Sequence, residues 1–97
     1  MDTVYYTAHE AWLRVPCKVT IEGEMISVSY DIDGVNYRYA GRELAPGHFE
    51  LSLDNGNGRA SLHMFPNSKW IEGYWVEDGA EGFWRIFLKE EIRNLND

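Results

Sequence analysis

Apolar and polar residues alternate along most of the chain, and short turn signals interrupt the alternation. Val, Ile and aromatic residues are concentrated between these turns, for example in the stretch WIEGYWVEDGAEGFWRIFL from Trp70 to Leu88. Such runs at close spacing are typical of antiparallel strands joined by hairpins. The turn signals are Gly23-Glu24, Asp33-Gly34, Asn55-Gly56, Pro66-Asn67-Ser68 and Asp78-Gly79.

The pattern predicts an all-β protein, an antiparallel up-and-down meander of seven to eight strands that closes into a small barrel. Closure removes the exposed edges that an open sheet has to protect. A chain of 97 residues suffices for one domain with one modest core, so a single barrel domain is expected over residues 1–97. Residues 3–15 are compatible with either a strand or a short helix. Residues 89–97 form a polar tail, either a last helical turn or a frayed end.

Each turn fixes a cross-strand register, which assigns every side chain of a hairpin to one face of the sheet. We take the first three signals as two-residue turns, and Pro66–Lys69 and Asp78–Glu81 as four-residue loops. All five registers agree on one inner face, and this agreement supports the fold more than any single turn does. The predicted pairs include Val19 with Val28, Ile21 with Ile26, Tyr30 with Tyr37, Val28 with Tyr39, Phe49 with Leu62, Leu51 with Ala60, Met64 with Ile71, Ala60 with Trp75, Trp75 with Trp84, and Gly73 with Ile86.

The predicted inner face combines large apolar side chains with glycines, which relieve crowding where strands bend or leave room inside. A barrel of about eight strands is just wide enough to be filled by side chains or to hold one small ligand. A solid interior and a ligand cavity therefore both remain open. The inner glycines are Gly41, Gly58, Gly73 and Gly82. The other inner residues are Cys17, Val19, Ile21, Ile26, Val28, Tyr30, Tyr37, Tyr39, Phe49, Leu51, Leu53, Leu62, Met64, Ile71, Trp75, Trp84, Ile86 and Leu88.

Composition narrows the class of protein. Nine Lys and Arg against sixteen Asp and Glu give a net charge of -7, which argues against a protein that binds the backbone of a nucleic-acid polymer. It suits a soluble protein, or one that docks on a basic protein partner. No membrane span and no export signal are expected, and Cys17 is the single cysteine, so the cytoplasm is the predicted location. We interpret Cys17 as a buried, inert thiol.

The residues of the 70–88 hairpin also suggest a family. The strands that contain EGYW and EGFWRIFL resemble the Gly-x-Trp strands of calycin-type barrels, the group of the lipocalins and avidins. The longer string YRYAGRELAPGHFEL…GRASLHMFPNSKWIEGYWVEDGAEGFWRIFL resembles a class of small bacterial proteins without a known activity. More loosely, an acidic barrel of this size is similar to the barrel domains that sense cyclic oligonucleotides in bacterial antiphage systems. The calycin resemblance implies a barrel that can bind a small ligand, and it supplies no ligand-contacting residues.

The inner aromatic residues are the candidate ligand-binding side chains. They are Tyr30, Tyr37, Tyr39, Trp75 and Trp84, and a nucleotide would take its phosphate partners from the arginines, chiefly Arg38 and Arg85. The same arginines would otherwise pair with acidic groups. No nucleophile-base pair, catalytic carboxylate pair or metal motif is present, so we expect no enzyme activity and no cofactor. The sequence favours a non-enzymatic protein that binds a small aromatic or nucleotide-like ligand.

A second set of aromatic residues is predicted to point outward. Patches of this size usually mark interfaces, so the alternative function is a protein-interaction module or homodimer without a small ligand. The other explanation is that the N-terminal segment, with Tyr5, Tyr6 and Trp12, or Leu95 of the tail covers them. The outer set is Phe65, Trp70, Tyr74, Phe83 and Phe87, with Phe65 expected opposite Trp70.

Two polar groupings complete the candidates. The Asn55-Gly56 turn sets His48 opposite His63, and the next hairpin sets His63 opposite Glu72. These are zinc-ligand residue types, but such a row is more often a polar ladder, and we expect no metal. A turn at Asn57-Gly58 would instead place His63 against Ser52. A further grouping, Glu77, Asp78 and Glu81, is either a set of solvated turn charges or a binding site for a cation or basic partner.

Overall fold

In a computed structural model, which describes residues 1–88, the chain forms one sheet of nine antiparallel strands. Their order across the sheet is β2-β1-β9-β8-β7-β6-β5-β4-β3, a meander curled strongly into a half-barrel. The all-β meander is therefore confirmed, with nine strands rather than seven to eight. The strands are β1 (Asp2–Tyr5), β2 (Glu10–Trp12), β3 (Cys17–Glu22), β4 (Met25–Ile32), β5 (Val35–Ala45), β6 (His48–Leu53), β7 (Arg59–His63), β8 (Trp70–Glu77) and β9 (Ala80–Phe87).

The N-terminal segment provides the two strands that the sequence left ambiguous. β1 pairs with β9 and β2 pairs with β1, so both extend the sheet edge to edge. Strands β2 and β3 are the two ends of the sheet among the described residues. The link between them passes Val15, which exchanges backbone hydrogen bonds of 2.8 and 2.7 Å with Met1. The predicted polar tail, residues 89–97, lies outside the described residues.

Two Asp-Gly turns have the backbone geometry that hairpins favour. Asp33 and Gly34 have φ of 52° and 80°, and Asp78 and Gly79 have φ of 48° and 81°. Positive φ at both central residues is the mark of a type I′ turn, whose twist matches that of the flanking strands.

Within residues 1–88 the chain contains no helix with the length and apolarity needed to cross a bilayer.

Strands β8 and β9 pair two residues away from the predicted register. The prediction assumed a four-residue loop, whereas Asp78-Gly79 forms a two-residue turn with Glu77 opposite Ala80. The assignment of side chains to the two faces of the sheet is still correct, because a shift of two residues keeps each side chain on the same face. The predicted pairs Trp75–Trp84 and Gly73–Ile86 are wrong: the observed pairs are Trp75 with Gly82, Gly73 with Trp84 and Ile71 with Ile86.

The other predicted registers agree with the structure. The His48–His63 pairing shows that the Asn55-Gly56 register holds rather than the Asn57-Gly58 alternative. Phe65 follows the end of β7 and has no partner in the ladder, so its expected position opposite Trp70 is wrong; Trp70 lies opposite Phe87. The confirmed pairs include Val19 with Val28, Ile21 with Ile26, Tyr30 with Tyr37, Val28 with Tyr39, Phe49 with Leu62, Leu51 with Ala60, and Ala60 with Trp75.

The core lies on the concave face of the half-barrel, and most of the predicted inner residues are buried there. Ile21 is the exception, 38% exposed because it lies near the end of the terminal strand β3. Cys17, Val19, Tyr37, Leu53, Met64 and Leu88 are half-buried against the core. The buried apolar residues are Ile26, Val28, Tyr30, Tyr39, Phe49, Leu51, Ala60, Leu62, Ile71, Trp75, Trp84 and Ile86.

Large and small residues alternate across the concave face. A Cβ on Gly82 would lie 1.7 Å from the Val4 carbonyl oxygen and 2.7 Å from the Trp75 ring, so only glycine fits there. The alternation relieves crowding on the inside of a curled sheet and so permits the curl. One row across the strands runs Tyr5, Gly82, Trp75, Ala60, Leu51, Gly41, Ile26.

Candidate functional site

A cavity of about 150 Å³ lies on the concave face. It is at the end of the half-barrel that carries the Asp33-Gly34 and Asp78-Gly79 turns, because the ends of β4 and β8 and the starts of β5 and β9 contribute to it. Side chains therefore do not fill the concave face completely at this end. The lining residues are Met1, Thr3, Tyr5, Trp12, Tyr30, Ile32, Tyr37, Trp75, Glu77, Ala80 and Trp84.

The walls of the cavity are aromatic rings that hold one another in place. Tyr30 stacks on Tyr37 with ring centroids 5.5 Å apart and meets Trp84 edge-on at 5.9 Å. On the other side, Tyr5 meets Trp75 edge-on at 4.9 Å, and Trp75 and Trp84 lie 6.4 Å apart. Edge-to-face and offset contacts at these separations are the arrangements that aromatic pairs prefer. The walls are thus fixed by packing between strands from both halves of the sheet.

Trp12 forms the outer wall. Its ring centroid is 6.2 Å from that of Tyr5, and its Nε1 donates a 2.6 Å hydrogen bond to Glu10 Oε1. The side chain is 36% exposed, so this wall reaches the protein surface. It comes from a three-residue strand at the end of the sheet, which makes it the wall held by the fewest strand contacts.

One carboxylate faces the cavity. Glu77 lies on β8 two residues after Trp75, so strand alternation places both on the concave face. The Tyr39 hydroxyl donates a short hydrogen bond to Glu77 Oε1. Burial raises the pKa of Tyr39, and the hydrogen bond to Glu77 and its negative charge raise that pKa further. Burial, followed by the charge of Glu77, also raises the pKa of Tyr30. Both hydroxyls therefore lose their protons at a higher pH than an ordinary tyrosine does.

Two buried polar atoms of the lining residues have no hydrogen-bond partner among the described residues. They are the Thr3 hydroxyl oxygen and the indole Nε1 of Trp75. Thr3 is 3% exposed, and it lies between Trp12 and Trp84 in the ladder. Leaving such a group unsatisfied costs about 1–3 kcal/mol, so each atom calls for a hydrogen-bond partner, either a water or a ligand group.

The structure brings together most of the predicted ligand-binding residues. Tyr30, Tyr37, Trp75 and Trp84 line the cavity, and Tyr39 lies behind it with its hydroxyl on Glu77. The two arginines are elsewhere. Arg38 pairs with Asp54 at 2.8 Å on the exposed side of the sheet, and the Arg85 guanidinium lies 4.0 Å from the centroid of the Trp70 ring.

The predicted ligand-binding set lacks seven of the lining residues: Met1, Thr3, Tyr5, Trp12, Ile32, Glu77 and Ala80. Strand parity could have found Glu77, because it continues the inner positions Ile71, Gly73 and Trp75 of β8. The turn pattern instead groups Glu77 with Asp78 and Glu81, either as solvated turn charges or as a site for a cation or basic partner. Nothing comparable was available for the N-terminal residues, since their strand assignment depends on pairing with β9, more than 75 positions away in sequence.

The histidine row forms on the outward face as predicted. His48 and His63 lie opposite each other with ring centroids 4.6 Å apart, and Glu72 lies opposite His63. The structure adds Glu50 and Ser61: His48 Nε2 is 2.6 Å from Glu50 Oε2, and the Ser61 hydroxyl donates a short hydrogen bond to the same oxygen. Alternation could have suggested both, because they share the face and pair with each other.

This row has the geometry of a polar ladder. A nucleophilic triad needs a histidine between serine and carboxylate, whereas here the serine hydroxyl donates to the carboxylate itself. Burial raises the pKa of Glu50, but hydrogen bonds from Ser61 and His48 outweigh it and hold the pKa below its ordinary value of 4.5. Within the part of the chain that the structure describes, no three His, Cys, Asp or Glu side chains converge as a metal site.

The outer aromatic residues lie side by side on the convex face of β8 and β9. Trp70 and Phe87 are ladder partners with ring centroids 4.8 Å apart, and Tyr74 pairs with Phe83. Phe87 is 48% exposed, and Phe65, in the loop after β7, is 74% exposed. The N-terminal segment does not cover this face, because β1 joins β9 at its edge and adds Val4 beside Phe83. The other suggested cover, Leu95, lies outside the described residues.

The acidic turn divides between the two faces. Glu77 points to the cavity, Glu81 accepts a 2.5 Å hydrogen bond from the Tyr74 hydroxyl on the convex face, and Asp78 is exposed at the turn.

Cys17 is a half-buried free thiol at the start of β3. Burial raises its pKa more than the nearby α-amino group of Met1 lowers it, as befits a weakly reactive thiol.

Comparison of the chain with models of protein families, with curated proteins and with solved structures gave no match.

Proposed function

We propose that the protein is a non-enzymatic small-ligand-binding protein and that the ligand occupies the cavity on the concave face. The observation that carries the proposal is one cavity that combines aromatic walls with two orphaned buried polar atoms, on Thr3 and Trp75. Ligand sites in proteins are typically concave, mostly apolar, and supplied with a few polar groups that fix orientation. The resemblance of the Gly-x-Trp strands to calycin-type barrels supports the same function.

The volume limits the size of the ligand. Apolar cavities of roughly 150 Å³ are known to hold benzene, so the present cavity of about 150 Å³ suits a group of that size. A whole nucleotide is much larger, and Arg38 and Arg85 lie away from the cavity. The geometry thus favours a small, compact ligand, or a small terminal group of a larger one, over a nucleotide held by its phosphate.

Nuclear magnetic resonance with a set of benzene-sized fragments tests the proposal. The set contains neutral aromatic, cationic and anionic compounds, and the reporter is the indole Nε1–H resonance of Trp75, which has no partner in the structure. We expect at least one fragment to shift this resonance saturably. The resonance of Trp70, on the convex face, serves as the internal reference because it should stay in place.

The control fills the cavity. Ala80 lines it, so Ala80→Phe should abolish the fragment shift, whereas Val76→Phe, on the exposed convex side of β8, should preserve it. Circular dichroism of both variants shows whether the sheet is retained. If no fragment shifts Trp75 saturably, or if Ala80→Phe binds as the wild type does, the cavity is not a ligand site.

The convex face supports a second candidate function, assembly through the 70–88 hairpin. The favouring observation is the cluster of partly exposed aromatic residues on β8 and β9, with Tyr74 41% and Phe87 48% exposed. A second copy could cover this cluster, because a twofold contact uses the same patch twice. Sedimentation of the wild type and of the Trp70→Ser, Phe87→Ser double variant tests it. A wild-type dimer that the double variant abolishes would support assembly, and two monomers at high concentration would contradict it.

A further inference from the structure

The charged side chain that lines the cavity is acidic. Glu77 is the one acidic side chain of the lining, and no Lys or Arg side chain of residues 1–88 lines it. The ion pairs of the described residues, Arg38 with Asp54 and His48 with Glu50, do not involve Glu77, whose hydrogen-bond donor is the neutral Tyr39 hydroxyl. The α-amino group of Met1, which also lines the cavity, donates to the Val15 carbonyl at 2.7 Å. The carboxylate thus lacks a cationic side-chain partner within this part of the chain.

The rings around Glu77 are suited to a positive charge. Aromatic faces attract cations because their π electrons make the face electronegative, and an ammonium within about 6 Å of a ring centroid gains most from this. Six aromatic residues line a cavity of about 150 Å³, so a small cation inside is close to several rings at once. Rings that surround a cation, with a carboxylate nearby, are the arrangement that proteins use for alkylated ammonium groups.

The orphaned atoms define the rest of the ligand. Trp75 Nε1 can only donate a hydrogen bond, and the Thr3 hydroxyl can donate or accept. A bare alkylammonium would leave the indole N–H unpartnered, whereas a ligand with an oxygen atom a few bonds from its nitrogen could satisfy it. The site therefore contains complementary groups for two ends of one small molecule.

We propose that the cavity binds a small alkylammonium ion that carries an oxygen acceptor, with Glu77 as its counter-ion and the Tyr30, Trp75 and Trp84 rings as its cage. This inference rests on the proposed ligand-binding function and specifies the chemical class of the ligand. Glu77 supplies charge, the rings supply contact with the alkyl groups, and Trp75 Nε1–H supplies the hydrogen bond to oxygen.

Three probes of nearly equal shape but different charge show how much the charge of a ligand contributes to its affinity. Choline is cationic, 3,3-dimethylbutan-1-ol is its neutral carbon isostere, and 3,3-dimethylbutanoate is a close anionic analogue. Titration of the wild type with each, by calorimetry and by the Trp75 indole resonance, needs no variant. We expect choline to bind about tenfold more tightly than the neutral isostere, because only the cation gains from the rings and the carboxylate. The anion should bind more weakly than both.

Two glutamates of the same strand provide the matched variants. Glu77→Gln removes the charge but keeps an oxygen that accepts from the Tyr39 hydroxyl, and we expect it to weaken choline binding about tenfold while leaving the neutral isostere unchanged. Glu72→Gln makes the same change on the convex face, opposite His63 and Arg85, and should leave choline binding unchanged. Circular dichroism verifies that each variant is folded.

The outcomes distinguish this inference from the function on which it rests. If the neutral isostere shifts Trp75 and binds as tightly as choline, the cavity binds ligands but the cation inference is wrong. If the anion binds more tightly than choline, the positive α-amino group of Met1 has a stronger effect on binding than Glu77 has. That result would also overturn the cation inference. If none of the three probes shifts Trp75, the cation inference fails, and the fragment set decides separately whether the cavity binds anything.

Discussion

The two ends of the concave face are built from the same strands but have different chemistry. Along β8 the inward positions run Ile71, Gly73, Trp75 and Glu77, from an aliphatic end to an acidic one. At the aliphatic end Ile71 pairs with Ile86 and Phe49 with Leu62, and all four are buried without polar side chains among them. At the other end six aromatic residues, one carboxylate and two orphaned polar atoms surround a cavity.

The aliphatic end stabilises the fold, whereas the cavity end carries the groups on which the proposed binding function depends. Close packing at the aliphatic end gains free energy of folding from every buried methyl group. At the cavity end the same type of sheet leaves space, a charge and unmet hydrogen bonds, all of which reduce stability. Sites that bind ligands commonly carry such costs, because binding groups are optimal for the ligand and not for the empty protein.

The largest expected effect tests the packing difference between the ends. Phe49→Ala should lower the free energy of unfolding by about 3–5 kcal/mol, because it opens a space in a closely packed region. Tyr37→Ala, at the cavity end, should lower it by less than half as much, because the ring is half-buried and borders existing space. Urea unfolding monitored by tryptophan fluorescence measures both. Equal losses would contradict the division into a packed end and an open end.

Between the two ends of the concave face, Gly73 pairs with Trp84 and Gly82 pairs with Trp75. A substitution at Gly82 should have the next largest effect on stability. Gly82→Ala should cost about 1–3 kcal/mol, because the new Cβ overlaps the Val4 carbonyl oxygen and the Trp75 ring and forces β1 from β9. Since Thr3 and Tyr5 of β1 line the cavity, choline binding should also fall. Ala40→Gly, on the convex side of β5 and outside the cavity lining, is the control without a clash. A fully stable Gly82→Ala protein would show that the close approach of β1 is not required.

Alkaline pH should weaken the cavity end selectively. The pKa values of Tyr30 and Tyr39 are raised in the folded protein above the ordinary value of 10.0, mainly by burial and then by Glu77. The unfolded chain therefore loses these protons first, and stability that is complete below about pH 10 falls as the pH rises further, by up to about 1.4 kcal/mol per pH unit for each tyrosine.

Unfolding midpoints between pH 8 and pH 11, in the wild type and in Tyr39→Phe, measure this slope. The variant should be less stable at pH 8, because Glu77 loses its hydrogen bond, and should depend less on pH above 10. Tyr6→Phe, at a 49% exposed position, is the control and should keep the wild-type slope. The same slope in all three proteins would mean that the buried tyrosines do not control alkaline unfolding.

The smallest expected effect on stability separates binding from folding. Trp12 is 36% exposed on the short end strand β2, so Trp12→Ala should change the free energy of unfolding by less than about 1 kcal/mol. Its ring is nevertheless one wall of the cavity, and its loss should weaken choline binding about three- to tenfold. Calorimetry and urea unfolding of the same variant measure the two quantities. A large loss of stability with intact binding would reverse the assigned role.

The fold and most of the core follow from the sequence. Turn signals and period-two alternation are local properties, and together they assign Val28, Leu62 and Ile71 to the inside without knowledge of distant partners. The same parity brought Tyr30, Trp75 and Trp84 to one face. It also predicted the opposition of His48 and His63, because one hairpin register determines it.

Only the tertiary structure decided which of these residues surround a cavity. Thr3 and Tyr5 reach it because β1 pairs with β9, a contact between the two ends of the described chain that no local pattern specifies. The position of Trp84 opposite Gly73 depends on the length of the Asp78-Gly79 turn. Two-residue and four-residue turns leave the Trp84 side chain on the same face of the sheet, but they pair it with residues two positions apart on β8. Facing is determined by local alternation, but the shape and charge of a cavity depend on how the whole sheet curls, because curling sets which distant strands meet.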